Sequence, residues 1–137
     1  MHYNCLIVDD EEGLAKDTCE YFEMFETSCK YVMTVSDCES FLAENTVDVI
    51  LLDINLSNDS GFELCKKIRQ TSDTHILFVS ARQSDDDVLI ALNIGGDDYI
   101  KKPFSVMELL SRVRALLRRT QAEAPEQLLV GNIMLDN

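Results

Sequence analysis

Five polar residues stand directly after short apolar runs, and their types could do chemistry together. Asp9 and Asp10 follow Asn4-Cys5-Leu6-Ile7-Val8, and Asp53 follows Val47-Asp48-Val49-Ile50-Leu51-Leu52. Ser80 follows His75-Ile76-Leu77-Phe78-Val79, and Lys102 follows Asp98-Tyr99-Ile100-Lys101. A single aspartate in such a place is usually a solvated turn residue. Three carboxylates, a hydroxyl and an ammonium at sibling run ends form a more specific set. If the first and third runs are neighbours, the carboxylates converge within a few ångströms and disfavour one another's ionisation unless a cation sits among them. All-oxygen ligation suits Mg²⁺. Asp53 could then attack phosphorus as a nucleophile, with the cation and Lys102 offsetting charge on the phosphoryl oxygens and Ser80 hydrogen-bonding to another. The product would be an aspartyl phosphate.

The elements that must position these residues follow from the hydrophobic pattern. Each run is short and rich in branched aliphatics, as expected of a strand buried on both faces. Leu14, Cys19, Phe22 and Phe25 recur near helical spacing between Glu11 and about Glu26, which predicts an amphipathic helix with those residues inward. Lys30 to Val35 reads as a second strand. Ser36-Asp37 then caps a helix through about Glu44 that turns Cys38, Phe41 and Leu42 inward. Asn58-Asp59-Ser60-Gly61 is turn chemistry before a helix from Phe62 to about Gln70. Asp85-Asp86-Asp87 suits the start of a helix through Leu92 that Gly95-Gly96 ends, and Ser105 caps a last helix through about Arg119. Strict strand-helix alternation with short connections predicts a parallel sheet covered by helices on both faces. Ligands of such a sheet bind at the C-terminal ends of the strands.

Composition narrows the function classes. A chain of 137 residues suffices for one domain with a full core, and a net charge of −13 argues against an extended nucleic-acid contact by these residues. No stretch approaches the roughly 20 apolar residues of a bilayer span, and no secretory segment is evident, so a cytoplasmic protein without membrane contact is expected. Cys5, Cys19, Cys29, Cys38 and Cys65 are odd in number and widely spaced, which predicts small buried thiols. His2 and His75 show no evident partners and are expected to be incidental.

Val8-Asp9-Asp10-Glu11, Leu52-Asp53-Ile54, Val79-Ser80-Ala81 and Tyr99-Ile100-Lys101-Lys102-Pro103-Phe104 resemble, in order, the motifs of the receiver domain of two-component response regulators. The resemblance covers residues 4 to about 120. It implies a flavodoxin-like (CheY-like) α/β fold, a five-stranded parallel sheet in the order 2-1-3-4-5 with five helices on both faces. It also implies that Asp53 accepts a phosphoryl group from a histidine of a sensor kinase. Mg²⁺, with Mn²⁺ as a substitute, would be held by Asp10, Asp53 and the backbone carbonyl of Asn55, with Asp9 acting through water. Lys102 matches the family lysine, and its bond to Pro103 is expected to be cis. Ser80 and Tyr99 match a switch pair, in which the hydroxyl moves toward phosphate and the ring swings inward. Asn55 and Arg82 fall where the family tunes dephosphorylation. Ser57, in place of the proline of many members, and the polar Asn58-Asp59-Ser60 imply altered loop dynamics.

Residues 95–119 resemble the OmpR/PhoB subfamily, in which the fourth helix, fifth strand and fifth helix form a homodimer on activation. The resemblance implies that Asp97 and Asp98 pair with Arg112 and Arg114 across that interface, with Leu92 and Leu110 as apolar contacts. Val88 and Asn93 stand where charged partners are frequent, so Glu108 is expected to lack a partner and the dimer to be weak. The implied division is a receiver over residues 1–120, then a linker and the first residues of a winged-helix DNA-binding domain over 121–137. DNA contact would belong to that further domain. Two other functions fit parts of the pattern. A haloacid-dehalogenase-like phosphohydrolase also phosphorylates a strand-end aspartate, but its D-x-D motif is answered here by Asn55 in the second position. A receiver-like module that signals without phosphorylation has no need of the complete acidic set and Lys102. The expected role is a regulatory phosphoacceptor, limited to its own phosphotransfer and slow autodephosphorylation, rather than an enzyme.

Overall fold

The computed structural model describes residues 1–82 and 84–122. Its main strands are β1 (His2–Val8), β2 (Cys29–Val32), β3 (Thr46–Leu52), β4 (His75–Ser80) and β5 (Asp98–Lys101), and they form one parallel sheet in the order β2-β1-β3-β4-β5. They alternate with α1 (Glu12–Met24), α2 (Val35–Glu44), α3 (Gly61–Arg69), α4 (Asp85–Asn93) and α5 (Val106–Ala122). The flavodoxin-like order expected from the resemblance is therefore observed.

Alternation of side chains across the pleat builds two cores. Cys5, Ile7, Val49, Leu51, Leu77 and Val79 pack on one face against Ala15 and Phe22 of α1 and Leu109 and Val113 of α5. Leu6, Val8, Ile50, Leu52, Ile76 and Phe78 pack on the other against Cys38 of α2, Leu64 and Ile68 of α3 and Ala91 of α4. The register matters most for function. Val8 pairs with Leu52 and Leu52 with Phe78, so β1 and β3 finish level, while β4 runs two residues further to Ser80, opposite Lys101 of β5, and the residues that follow emerge on one edge.

Local differences from the sequence reading have simple causes. β2 stops at Val32, because Thr34 takes the N-cap of α2 and accepts the Asp37 N–H at 3.0 Å. The buried stripe of α1 is Ala15, Thr18, Cys19 and Phe22. Leu14 lies one position off that stripe and Phe25 lies beyond the helix, so both are exposed instead of inward. The Thr18 hydroxyl sits in the stripe without an orphaned donor, since it donates to the Leu14 carbonyl at 2.8 Å. The turn before α3 contains a short antiparallel pair, Asn55–Leu56 with Asp59–Ser60. α5 continues through Ala122, past the predicted end at Arg119, and the rest of the expected linker and winged-helix start lies outside the described residues.

Both histidines lie near carboxylates. His2 Nε2 lies 3.0 Å from Asp48, and the buried His75 ring places Nδ1 3.5 Å from Asp97. All five cysteines are buried and free, as expected. Among the described residues no helix is long and apolar enough to cross a membrane. Leu52 is fully buried at the last position before Asp53, so Leu52→Ala is expected to lower stability by about 2–5 kcal/mol in urea unfolding.

Candidate functional site

Backbone pairing delivers the charged residues to one another. The Asp53 N–H donates to Val8 O at 3.0 Å and the Asp9 N–H to Val32 O at 3.1 Å, so both carboxylates leave the sheet at the same height. The Lys102 N–H donates to Ser80 O at 2.8 Å, which brings the lysine across from β5. Asp9 and Asp53 are buried and Asp10 is exposed, yet each of the three offers an oxygen within 4.8 Å of the others. Lys102 Nζ reaches Glu11 at 2.6 Å, Asp9 at 2.9 Å and Asp53 at 3.3 Å. The Lys102–Pro103 bond is cis, as the resemblance implied.

Electrostatics follow from this crowding. Burial pushes the Asp53 carboxyl above the ordinary carboxylate range; Lys102 opposes the rise, Asp9 adds to it, and the Asn55 N–H at 3.2 Å draws it back. Burial pulls the Lys102 ammonium down, but the carboxylates of Glu11, Asp9 and Asp53 outweigh it and the net shift is upward. Lys102 therefore remains an ammonium. Three aspartates and Glu11 against one lysine leave surplus negative charge on hard oxygen donors, the donor chemistry that suits Mg²⁺.

Asp10, Glu11 and Asp53 border a cleft of about 640 Å³ whose walls include Asn55, Ala81, Pro103 and Phe104. The fully buried Ser80 ends β4, and its Oγ accepts the Arg82 N–H at 3.2 Å. The Tyr99 ring is buried beside Phe78, and its hydroxyl donates to the Arg82 carbonyl at 2.8 Å. Burial raises the Tyr99 pKa, so the phenol stays a donor. Arg82 itself lies 3.2 Å from Asp87 and 5.7 Å above the Phe62 ring.

Two contributors escaped the sequence reading. Glu11 was visible only as part of an acidic run; its pairing with Lys102 depends on the fold, although its position directly after Asp10 was a hint. Gly61 was read as turn chemistry. A Cβ there would lie 2.1 Å from the Asp53 carbonyl oxygen, so the turn needs glycine for close approach.

The proposed dimer face is placed less uniformly. Leu92 is exposed on α4, but Leu110 is buried in the core against the sheet, which corrects its expected role as a surface contact. Glu108 does have a partner, Arg112 at 3.0 Å, one helical turn away. Arg112 also holds Asp98 at 3.0 Å within the chain. Asp97 is engaged by Arg69 at 3.2 Å and by the Ile76 N–H at 2.8 Å. Arg114 points elsewhere, donating to the Phe25 carbonyl at 2.8 Å with its guanidinium over the Phe25 ring. Leu89 and Ile90 of α4 and Met107 of α5 are exposed apolar residues that the sequence reading did not select.

The chain matches the response regulator receiver domain over residues 5–114. It belongs to that family. It is 39% identical over 127 residues to the nisin biosynthesis regulatory protein NisR of Lactococcus lactis subsp. lactis, covering 88% of this chain and 53% of that protein. A two-component response regulator structure from Clostridium difficile superposes with a TM-score of 0.82 at 32% identity, covering 86% of this chain and 98% of that one. The response regulator DrrB, described as a Thermotoga maritima OmpR/PhoB homologue, gives a TM-score of 0.78 at 30% identity and covers 88% of this chain and 54% of that one. The expected kinship with OmpR/PhoB-type regulators is thus borne out. The chain spans a little over half the length of curated relatives such as NisR. Receiver domains are regulatory signalling domains of two-component systems that bind Mg²⁺ at an acidic pocket, and Asp9, Asp10 and Asp53 form such a pocket in this one.

Gly61→Ala is expected to cost about 1–3 kcal/mol in urea unfolding, because backbone must shift to admit the methyl group. A second expectation concerns pH. With its folded pKa raised, Asp53 is bound more tightly to its proton in the folded than in the unfolded state, so without metal the group disfavours folding once pH exceeds the unfolded value. Asp53→Asn should therefore raise metal-free stability at pH 7 and lose that advantage as pH falls below the ordinary carboxylate range, as read by thermal unfolding across pH.

Proposed function

We propose that this receiver accepts a phosphoryl group on Asp53 from a phosphohistidine of a sensor histidine kinase in the cytoplasm, and so controls a transcriptional output. The observation that carries the reading is the convergence of Asp9, Asp10 and Asp53 with Lys102 at the C-terminal strand ends. An Asp53 carboxylate oxygen forms the new bond to phosphorus while the histidine N–P bond breaks, its electron pair returning to the imidazole. Asp10, Asp53 and the Asn55 carbonyl would hold Mg²⁺, or Mn²⁺ in its place, with Asp9 acting through water. The cation supplies charge neutralisation at the phosphoryl oxygens.

The chain's own groups do the rest. Burial strips water from Asp53, and the Asn55 N–H orients the carboxylate. Lys102 is already within 3.3 Å of Asp53 and follows the charge onto the phosphoryl oxygens. The Ser80 hydroxyl reorients from the Arg82 N–H toward phosphate, and the buried Tyr99 ring carries that change to β5 and α4 through its bond to the Arg82 carbonyl. Asn55, in the cleft wall, and Arg82, in the loop after Ser80, tune the return to the unphosphorylated state. Asn55 also bears against a phosphohydrolase, since an amide at that position supplies no acid or base.

The surface of α4, β5 and α5 is the proposed output face, pairing two activated copies. Its apolar contribution comes from Leu92, Leu89 and Ile90. Asp98 and Arg112 would exchange their internal pairing for one across the interface, so little is gained per pair and the dimer is weak. Residues 121–137 lead, in this reading, toward a winged-helix domain that contacts DNA in the whole protein.

With Mg²⁺ and a small phosphodonor, intact mass is expected to show one added phosphoryl group that Asp53→Asn abolishes; an unchanged wild-type mass would instead support signalling without phosphorylation. Beryllofluoride, a phosphoryl mimic, should produce a concentration-dependent mass increase in sedimentation that Arg112→Ala weakens. A strictly monomeric activated chain rejects the dimer.

A further inference from the structure

The three carboxylates of the site are not held equally. Asp9 accepts the Glu11 N–H at 2.9 Å and pairs with Lys102 at 2.9 Å. Asp53 accepts the Asn55 N–H at 3.2 Å and pairs with Lys102 at 3.3 Å. Asp10 is the exposed member, and among the described residues the group that fixes it is the Ser57 hydroxyl, which donates to its Oδ2 at 3.0 Å.

Ser57 is itself firmly placed. With Asn58 it forms the tip of the antiparallel pair in which Asn55 faces Ser60 and Leu56 faces Asp59. That pair is anchored below by the buried Ile54 and Leu56. It is closed at its far end, where the Gly61 N–H donates to Ile54 O at 2.7 Å and Ser60 Oγ accepts the Phe62 N–H at 3.1 Å. The hydroxyl is thus tied to the strand end that bears Asp53, while its acceptor belongs to the end of β1.

An exposed carboxylate samples several rotamers, and freezing it onto a cation costs entropy. A neutral hydroxyl donor restricts Asp10 beforehand without cancelling its charge, as a lysine would, and leaves the carboxylate's remaining lone pairs open. We propose that Ser57 is a positioning residue for the divalent cation of this site, holding Asp10 toward Asp9 and Asp53. The inference rests on the metal-assisted reading given above.

Calorimetric titration of the metal-free chain with Mg²⁺ tests it, using wild type, Ser57→Ala and Ser57→Thr. Loss of the hydroxyl in Ser57→Ala is expected to weaken Mg²⁺ binding about 3- to 10-fold, the scale of one hydrogen bond behind a metal ligand. Ser57→Thr, which keeps the hydroxyl, should bind close to wild type. Thermal unfolding without Mg²⁺ should be alike for all three, which separates positioning from folding. The Mg²⁺ concentration for half-maximal phosphoryl incorporation should move by the same factor as the affinity. Ser57→Ala binding Mg²⁺ as tightly as wild type, or more tightly, overturns the inference and leaves the metal-assisted reading standing. Equal weakening in the alanine and threonine variants overturns it too, because the hydroxyl would then not be the cause. A wild-type chain that binds no Mg²⁺ overturns the metal-assisted reading itself and this inference with it.

Discussion

Like charges confined at the end of a parallel sheet are the constraint on which the rest of this structure depends. Asp9 and Asp53 are buried side by side, with Asp10 at the rim, and among the described residues Lys102 is the cation that stands against them and Glu11. Burial and proximity both disfavour ionised carboxylates. The arrangement persists because hydrogen bonds from the Glu11 and Asn55 N–H groups and the lysine offset part of that penalty. What remains is an unsatisfied demand for positive charge, and that demand is the chemical meaning of the site.

The sheet makes the crowding possible. The level ends of β1 and β3, with β4 and β5 running on beside them to Ser80 and Lys101, gather residues far apart in sequence at one edge. The two cores pin that register, because a slip of one residue would turn Leu6, Val8, Ile50 and Leu52 toward the wrong helices. The loop after β3 is equally constrained: Gly61 packs against the Asp53 carbonyl and a short strand pair replaces a free turn. Polar residues in this loop make specific hydrogen bonds. They supply Ser57 to Asp10 and Ser60 to the start of α3.

Core and surface contacts fall on consecutive residues of β5. Tyr99 lies in the core against Phe78 and touches the Arg82 carbonyl in the loop that follows Ser80. Its neighbour Asp98 pairs with Arg112 of α5 at the surface. A displacement of the β4–α4 loop is thus mechanically close to the charged surface of β5 and α5. The same compactness explains why several charges there are already matched within the chain, as Arg69 matches Asp97.

The sequence alone determined the strand-helix alternation, the parallel sheet and the acidic strand ends. Those features are carried by short-range pattern: branched runs that break at charge, helical spacing, and caps. Tertiary structure decided what depends on long-range neighbours. It turned Leu110 inward and Leu14 outward, since which side of a helix meets the sheet is set by packing. It gave Glu108 and His2 partners that no local spacing reveals, apart from the one-turn step from Glu108 to Arg112. It also joined Glu11 to Lys102 and Ser57 to Asp10, contacts 91 and 47 residues apart in the chain. A carboxylate's type can be read from sequence, but the group that orients it is fixed only when the strands align.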